Sequence, residues 1–159
     1  LLEQTAQGSY RMPLRNPSTS DWREMAHEQR DIAKKVELNF KVYIKEINQG
    51  VEIQVVTAGC DRVPIKFELC FPGDSLIEGK GFIQRGKPGE SIVVKSGEVK
   101  VSKDTDIIKV GPGFAQHHYA AHMRGSEPQN LKNYTIYFTD FTNIDKTIQI
   151  KSKESGVGL

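Results

Sequence analysis

Val36-Glu-Leu-Asn-Phe-Lys-Val-Tyr-Ile-Lys45 alternates strictly between apolar and polar side chains. After Asn48-Gln-Gly50 the alternation resumes in Val51-Glu-Ile-Gln-Val55. A period of two over ten residues belongs to a strand with one face turned to a core, and the Gly-containing turn between the two runs predicts a hairpin. Val63, Ile65, Phe67, Leu69 and Phe71 continue the pattern, with Lys66 and Glu68 outward, until Pro72-Gly-Asp74 closes the run. An all-β fold follows from this stretch.

Working outward, short strands are predicted at about 75–78, 81–85, 91–95, 98–102 and 106–110. Gly86-Lys-Pro-Gly89, Ser96-Gly97 and Lys103-Asp-Thr105 lie between them as turns, and Gly111-Pro-Gly113 breaks the chain before Phe114. Asn133–Asp140 and Thr147–Lys151, joined across Thr142-Asn-Ile-Asp145, complete a set of about nine or ten. Helices between strands, which an open α/β sheet requires, are absent from the pattern. The expected architecture is an antiparallel β-sandwich or jelly roll. One short N-terminal helix is expected over 21–34, because Asp21 with Glu24 resembles a capping box and Trp22, Met25, Ala26, Ile32 and Ala33 share a face. Residues 1–20 read as an extended lead-in or linker, 21–151 as the sandwich domain with its helix, and 152–159 as a flexible tail. The chain opens Leu1-Leu2-Glu3-Gln4, without Met or a basic-then-apolar leader, and reads as a piece of a longer polypeptide.

With 159 residues, 37% of them hydrophobic, there is material for one core. No run approaches the roughly 20 apolar residues that a spanning helix needs, and the mean hydropathy is −0.48. Neither a membrane nor a nucleic acid is an expected partner, since 22 basic against 20 acidic residues leave a net charge of only +2. Were 63–71 a single strand, Cys60 and Cys70 would lie on the order of 30 Å apart. A disulfide tolerates about 7 Å, so two free thiols are expected.

The densest polar cluster is Gln116-His-His-Tyr-Ala-Ala-His122-Met-Arg-Gly-Ser-Glu127. In an extended chain His118 and His122 share one face, and His117 and Tyr119 the other; on a helix His118 and His122 meet as an i,i+4 pair. Either geometry suits a metal, but no third ligand is marked by spacing and HEXXH is not present, so solvated or hydrogen-bonded structural histidines outweigh a metal site. No metal and no cofactor is assigned. The same residue types, imidazole and phenol beside the Arg124 cation, could abstract a proton next to a uronate carboxylate; no catalytic residue is assigned, because no partner carboxylate can be identified. For carbohydrate binding, exposed aromatics beside polar groups are the usual surface. Tyr43 falls on the polar face of its strand, whereas Trp22 is expected to be packed. The candidate ligand-binding residues are His118, Tyr119, His122 and Arg124.

Three stretches, Ala58-Gly-Cys-Asp-Arg-Val-Pro-Ile-Lys-Phe-Glu68, Lys109-Val-Gly-Pro-Gly113 and His122-Met-Arg-Gly-Ser-Glu-Pro128, resemble the β-sandwich portions of heparinase II/III-like and related bacterial glycan-degrading proteins. The resemblance spans about residues 20–151. In that family a helical toroid supplies much of the cleft and the catalytic tyrosine, and this chain has no room for one; no family catalytic role is carried onto its histidines. The resemblance implies a C-terminal accessory domain of a secreted or periplasmic polysaccharide-active protein. The expected function is therefore a non-catalytic accessory or carbohydrate-binding domain, its partner a polysaccharide or the catalytic domain of the same polypeptide. Two alternatives stand beside it: a contribution of the His117–Arg124 cluster to a polysaccharide-lyase site, and a purely structural packing domain with an exposed apolar patch around Trp22 and Met25.

Overall fold

A computed structural model describes residues 1–13, 19–117 and 132–152. Among them lie eleven strands: β1 Leu2–Arg11, β2 Ile32–Ile47, β3 Gly50–Gly59, β4 Pro64–Pro72, β5 Leu76–Gly79, β6 Phe82–Arg85, β7 Ser91–Val93, β8 Val99–Lys103, β9 Asp106–Gly111, β10 Asn133–Phe141 and β11 Asp145–Ser152. They form an eight-stranded sheet in the order β1-β2-β3-β11-β9-β8-β5-β6 and a three-stranded sheet in the order β4-β10-β7. Pairing is antiparallel except between β7 and β10 and at the single bridge Ala115–Thr139. The chain is all-β, as the alternation predicts.

The β2–β3 hairpin forms where the sequence places it. Ile47 pairs with Gly50 across Asn48 and Gln49, and Gln49 takes the left-handed φ of 60° that the tight reversal needs. Val42 opposite Val55 and Ile44 opposite Ile53 set β-branched side chains in register on one face. That face continues through Ile53 opposite Ile148, Ile150 opposite Val110, Val110 opposite Val99 and Val101 opposite Ile77. A Cβ at position 50 would come within 2.1 Å of the Ile150 carbonyl oxygen, so β11 can approach the hairpin closely only because that residue is glycine.

Apolar residues of the smaller sheet complete the core. Tyr134, Ile136 and Phe138 of β10 join Ile77, Val94, Val99, Val101, Val110 and Ile148 in one buried cluster. A second cluster holds Val55, Ile65 and Ile144, with Phe40, Val42 and Phe67 packed against it. Each fully buried side chain of this size contributes about 1.5–3 kcal/mol by leaving water. Seven consecutive residues of β10, Tyr134 to Asp140, are buried on both faces, which explains why that strand reads as a nearly unbroken apolar and Thr run.

The helix expected over 21–34 does not form. Residues 21–30 are turns with one short 3₁₀ segment, His27–Gln29, and from Ile32 the chain is already in β2. Residues 2–11, read from the sequence as extended lead-in, are strand β1, whose Arg11, Tyr10 and Ser9 pair with Ile32, Lys34 and Lys35. That ladder satisfies the backbone of the segment meant to end the helix. What remains is too short to hold a helix without packing. Asp21 closes a turn instead, its Oδ1 accepting from Arg23 N–H at 2.9 Å. Cys60 and Cys70 are free thiols, as expected.

Candidate functional site

A buried polar cluster lies on the side of β10 that faces away from the shared core. Thr135, Tyr137 and Thr139 alternate with the core residues and stand opposite Cys70, Glu68 and Lys66 of β4. Lys66 forms an ion pair with Glu68, and its Nζ sits 5.9 Å from the centre of the Tyr137 ring. Tyr137 is only 6% exposed, and burial pushes its phenol above the usual tyrosine range. Burial does the same to Tyr134, partly opposed by the hydrogen bond that Gln84 Nε2 donates to its Oη at 2.7 Å. A neutral phenol, a lysine and its carboxylate partner make a cluster suited to hydrogen bonding rather than to proton abstraction at neutral pH.

Both tyrosines enter the folded state with raised pKa values, so the folded form holds its phenolic protons more tightly than the unfolded chain. Their full contribution is present below about pH 10, the unfolded value, and falls as pH climbs through it towards the folded values. Urea midpoints measured between pH 9 and 11 are expected to decline, and Tyr137→Phe to flatten that decline. An unchanged slope in the variant would remove Tyr137 as a contributor.

His117, the first histidine of the polar cluster, is anchored at the far end of β10. Gln116 N–H donates to the Thr139 carbonyl at 3.0 Å, and Thr139 Oγ1 donates to the His117 carbonyl at 2.6 Å. The imidazole Nε2 lies 3.1 Å from the Ile65 carbonyl and 3.0 Å from that of Asp140. Two acceptors at one nitrogen place the proton there, so His117 Nε2 is a donor in a buried structural contact and not a metal ligand. Its ring packs on Phe141, 4.9 Å between centroids. His118, Tyr119, His122 and Arg124 lie outside the described residues. The described residues that flank them, His117 beside Thr139 and Lys132 before β10, are separated by about 20 Å of strand.

A surface read differently in the sequence is the Trp22 turn. Trp22 was expected to pack against a core; it is 61% exposed, because the helix that would have buried it is absent. One side of the indole meets His27, with ring centroids 3.9 Å apart. The His27 Nε2–H in turn donates to the Trp22 carbonyl at 2.7 Å. Thr19 Oγ1 accepts from Asp21 N–H at 3.1 Å and donates to Glu24 Oε2 at 3.2 Å, closing the turn that carries Trp22. Arg30 Nε donates to the Met12 carbonyl at 2.6 Å, and Arg11 reaches back to the carbonyls of Glu28 and Arg30. The turn is thereby tied to the end of β1. Tyr43 is exposed, as its strand parity requires.

Two hollows lie among the described residues. One of about 450 Å³ lies on the β1–β2 ribbon between Gly8, Ile32, Lys35 and Val36, beside the register shift at Tyr10–Arg11. The other, about 200 Å³, opens near Phe71, Ser75, Asp104 and Ile108. Among the described residues no three His, Cys, Asp or Glu side chains converge as a metal site, and no helix is long and apolar enough to cross a membrane. No protein-family model, curated protein or solved structure matches the chain.

Proposed function

We propose that the two sheets face each other as a β-sandwich, and that the chain is a non-catalytic accessory domain that binds glycan within a larger polysaccharide-active protein. The observation that carries this reading is the Trp22 turn: an indole with one side against His27 and most of its surface in solvent, on a backbone fixed by Thr19, Asp21 and Glu24. An aromatic face held rigid on a turn stacks on the apolar face of a sugar ring at little entropic cost. Arg23 and Arg30 are close in the chain to serve hydroxyl or carboxylate groups. The sandwich is supported by the core cluster that draws residues from both sheets. The resemblance to heparinase II/III-like proteins supports the setting, a secreted or periplasmic polypeptide with a polysaccharide as partner.

Affinity electrophoresis in gels cast with acidic or neutral polysaccharides tests it. Retardation by one class is expected, and Trp22→Ala is expected to abolish it while leaving the circular dichroism of the sheets unchanged. Wild-type mobility unaltered in every gel would overturn the reading. So would retardation only by anionic gels that salt removes, which is plain charge attraction. A purely structural packing domain is favoured by a different observation: the apolar row of β2 runs past Val42 to Ile44, which is 55% exposed. Strong hydrophobic-dye binding without glycan retardation is its expected signature.

A further inference from the structure

Sheet edges in stable proteins are blunted by short length, lysine, proline or a bulge. Three of the four edges seen among the described residues follow that rule. β6 has four residues, β7 has three, and β4 carries Lys66 within it and starts and ends at Pro64 and Pro72. β1 does not. Its ten residues, Leu2–Arg11, hold no lysine and no proline, and its register with β2 is regular up to Tyr10. No described strand pairs with its outer side, and every residue in it is exposed.

We propose that β1 pairs antiparallel with β1 of a second copy of this chain, about a two-fold axis at Gln7. A two-fold axis normal to the sheet pairs residues of like parity, which keeps the apolar faces of both copies on one side. Centred on Gln7, the register sets Glu3 opposite the partner's Arg11 twice, Thr5 opposite the partner's Ser9 twice, and Leu2 opposite the partner's Met12 twice. Moving the centre to Ala6 puts Glu3 opposite Ser9; moving it to Gly8 puts Arg11 opposite Thr5. Only the Gln7 register matches opposite charges.

The monomer holds these groups ready. Glu3 is anchored by Lys41 at 2.9 Å through one carboxylate oxygen, which leaves the other for a second cation. Arg11 uses Nη1 on the carbonyls of Glu28 and Arg30, and its remaining N–H groups point to no other partner among the described hydrogen bonds. Leu2 and Met12, at opposite ends of the ribbon, are 62% and 51% exposed.

Sedimentation equilibrium on the full chain tests the pairing. The wild type is expected to sediment at twice the 17.9 kDa chain mass. Glu3→Arg and Arg11→Glu each set like charges opposite one another at two symmetric sites, and each is expected to weaken dimerisation by about tenfold or more. Mixed in equal amounts, the two variants present complementary edges, so dimer is expected to return as a heterodimer. The double variant E3R/R11E is expected to dimerise as the wild type does. Circular dichroism of each variant reports whether its sheets are intact. A wild type that stays at monomer mass at high concentration overturns the proposal. So do reversals that leave the dimer unchanged, or folded variants that fail to recombine on mixing.

Discussion

Phe138→Ala is expected to cost about 3–5 kcal/mol of stability, the range for emptying a large aromatic site in a packed core. Phe138 has no exposed surface and lies on β10 among residues of both sheets. Its ring stacks on Phe114 at 5.3 Å between centroids, so the alanine would remove a contact that also pins the chain leaving β9. Domains of this size are stable by only about 5–15 kcal/mol, and the variant should be largely unfolded at temperatures the wild type tolerates. Urea midpoints at constant slope measure the loss. Phe138→Leu, which keeps most of the volume, should lose only about 1 kcal/mol. A loss below that for the alanine would mean that the two sheets do not close over this ring.

Thr142→Val should be the second most costly change, although it barely alters volume. The Thr142 hydroxyl donates to the Cys60 carbonyl and accepts from Val63 N–H at 3.0 Å. Its backbone N–H donates to the Val63 carbonyl at 2.9 Å, and its carbonyl accepts from Arg62 N–H at 2.7 Å. The turn between β3 and β4 is therefore held to the corner between β10 and β11 through one residue that is 2% exposed. Valine would leave a carbonyl and an N–H unpaired there, at about 1–3 kcal/mol for each group. The expected loss is about 2–4 kcal/mol, with Thr142→Ser restoring most of it because the hydroxyl returns. Equal losses for Val and Ser would assign the effect to packing and not to the hydrogen bonds.

Strands with one buried face were legible in the sequence, and their turns with them. The alternation through Val36–Phe71 and the short runs bounded by Gly and Pro all correspond to observed strands. β1 was illegible for a physical reason: a strand exposed on both faces need not alternate cleanly, and Gln4 and Gly8 interrupt its apolar positions. The false helix follows from the same blind spot. Trp22, Met25, Ile32 and Ala33 do fall on a helical face, but their spacing cannot report that Ile32–Lys35 has a ladder waiting on β1. At the site, His117 was legible as a member of a polar cluster but not as a buried donor to two carbonyls, since those belong to residues 52 and 23 positions away. Tyr137 and Lys66 could have been found by parity, each falling opposite in phase to the core residues of its strand.

The place of β11 in the middle of the larger sheet has a consequence for how the chain reaches this state. β11 pairs with β3 on one side and β9 on the other, and Gln54 donates to Asp145 across 91 residues. The β2–β3 and β8–β9 hairpins are local and close within microseconds, but joining them requires a loop of that length to be shut first. Such non-local pairing places folding in the millisecond-to-second range. During synthesis the β2–β3 hairpin must wait on the order of ten seconds for residues 145–152 to be made. Through that interval the side of β3 meant for β11 is open, and the nascent chain is most vulnerable to mispairing then.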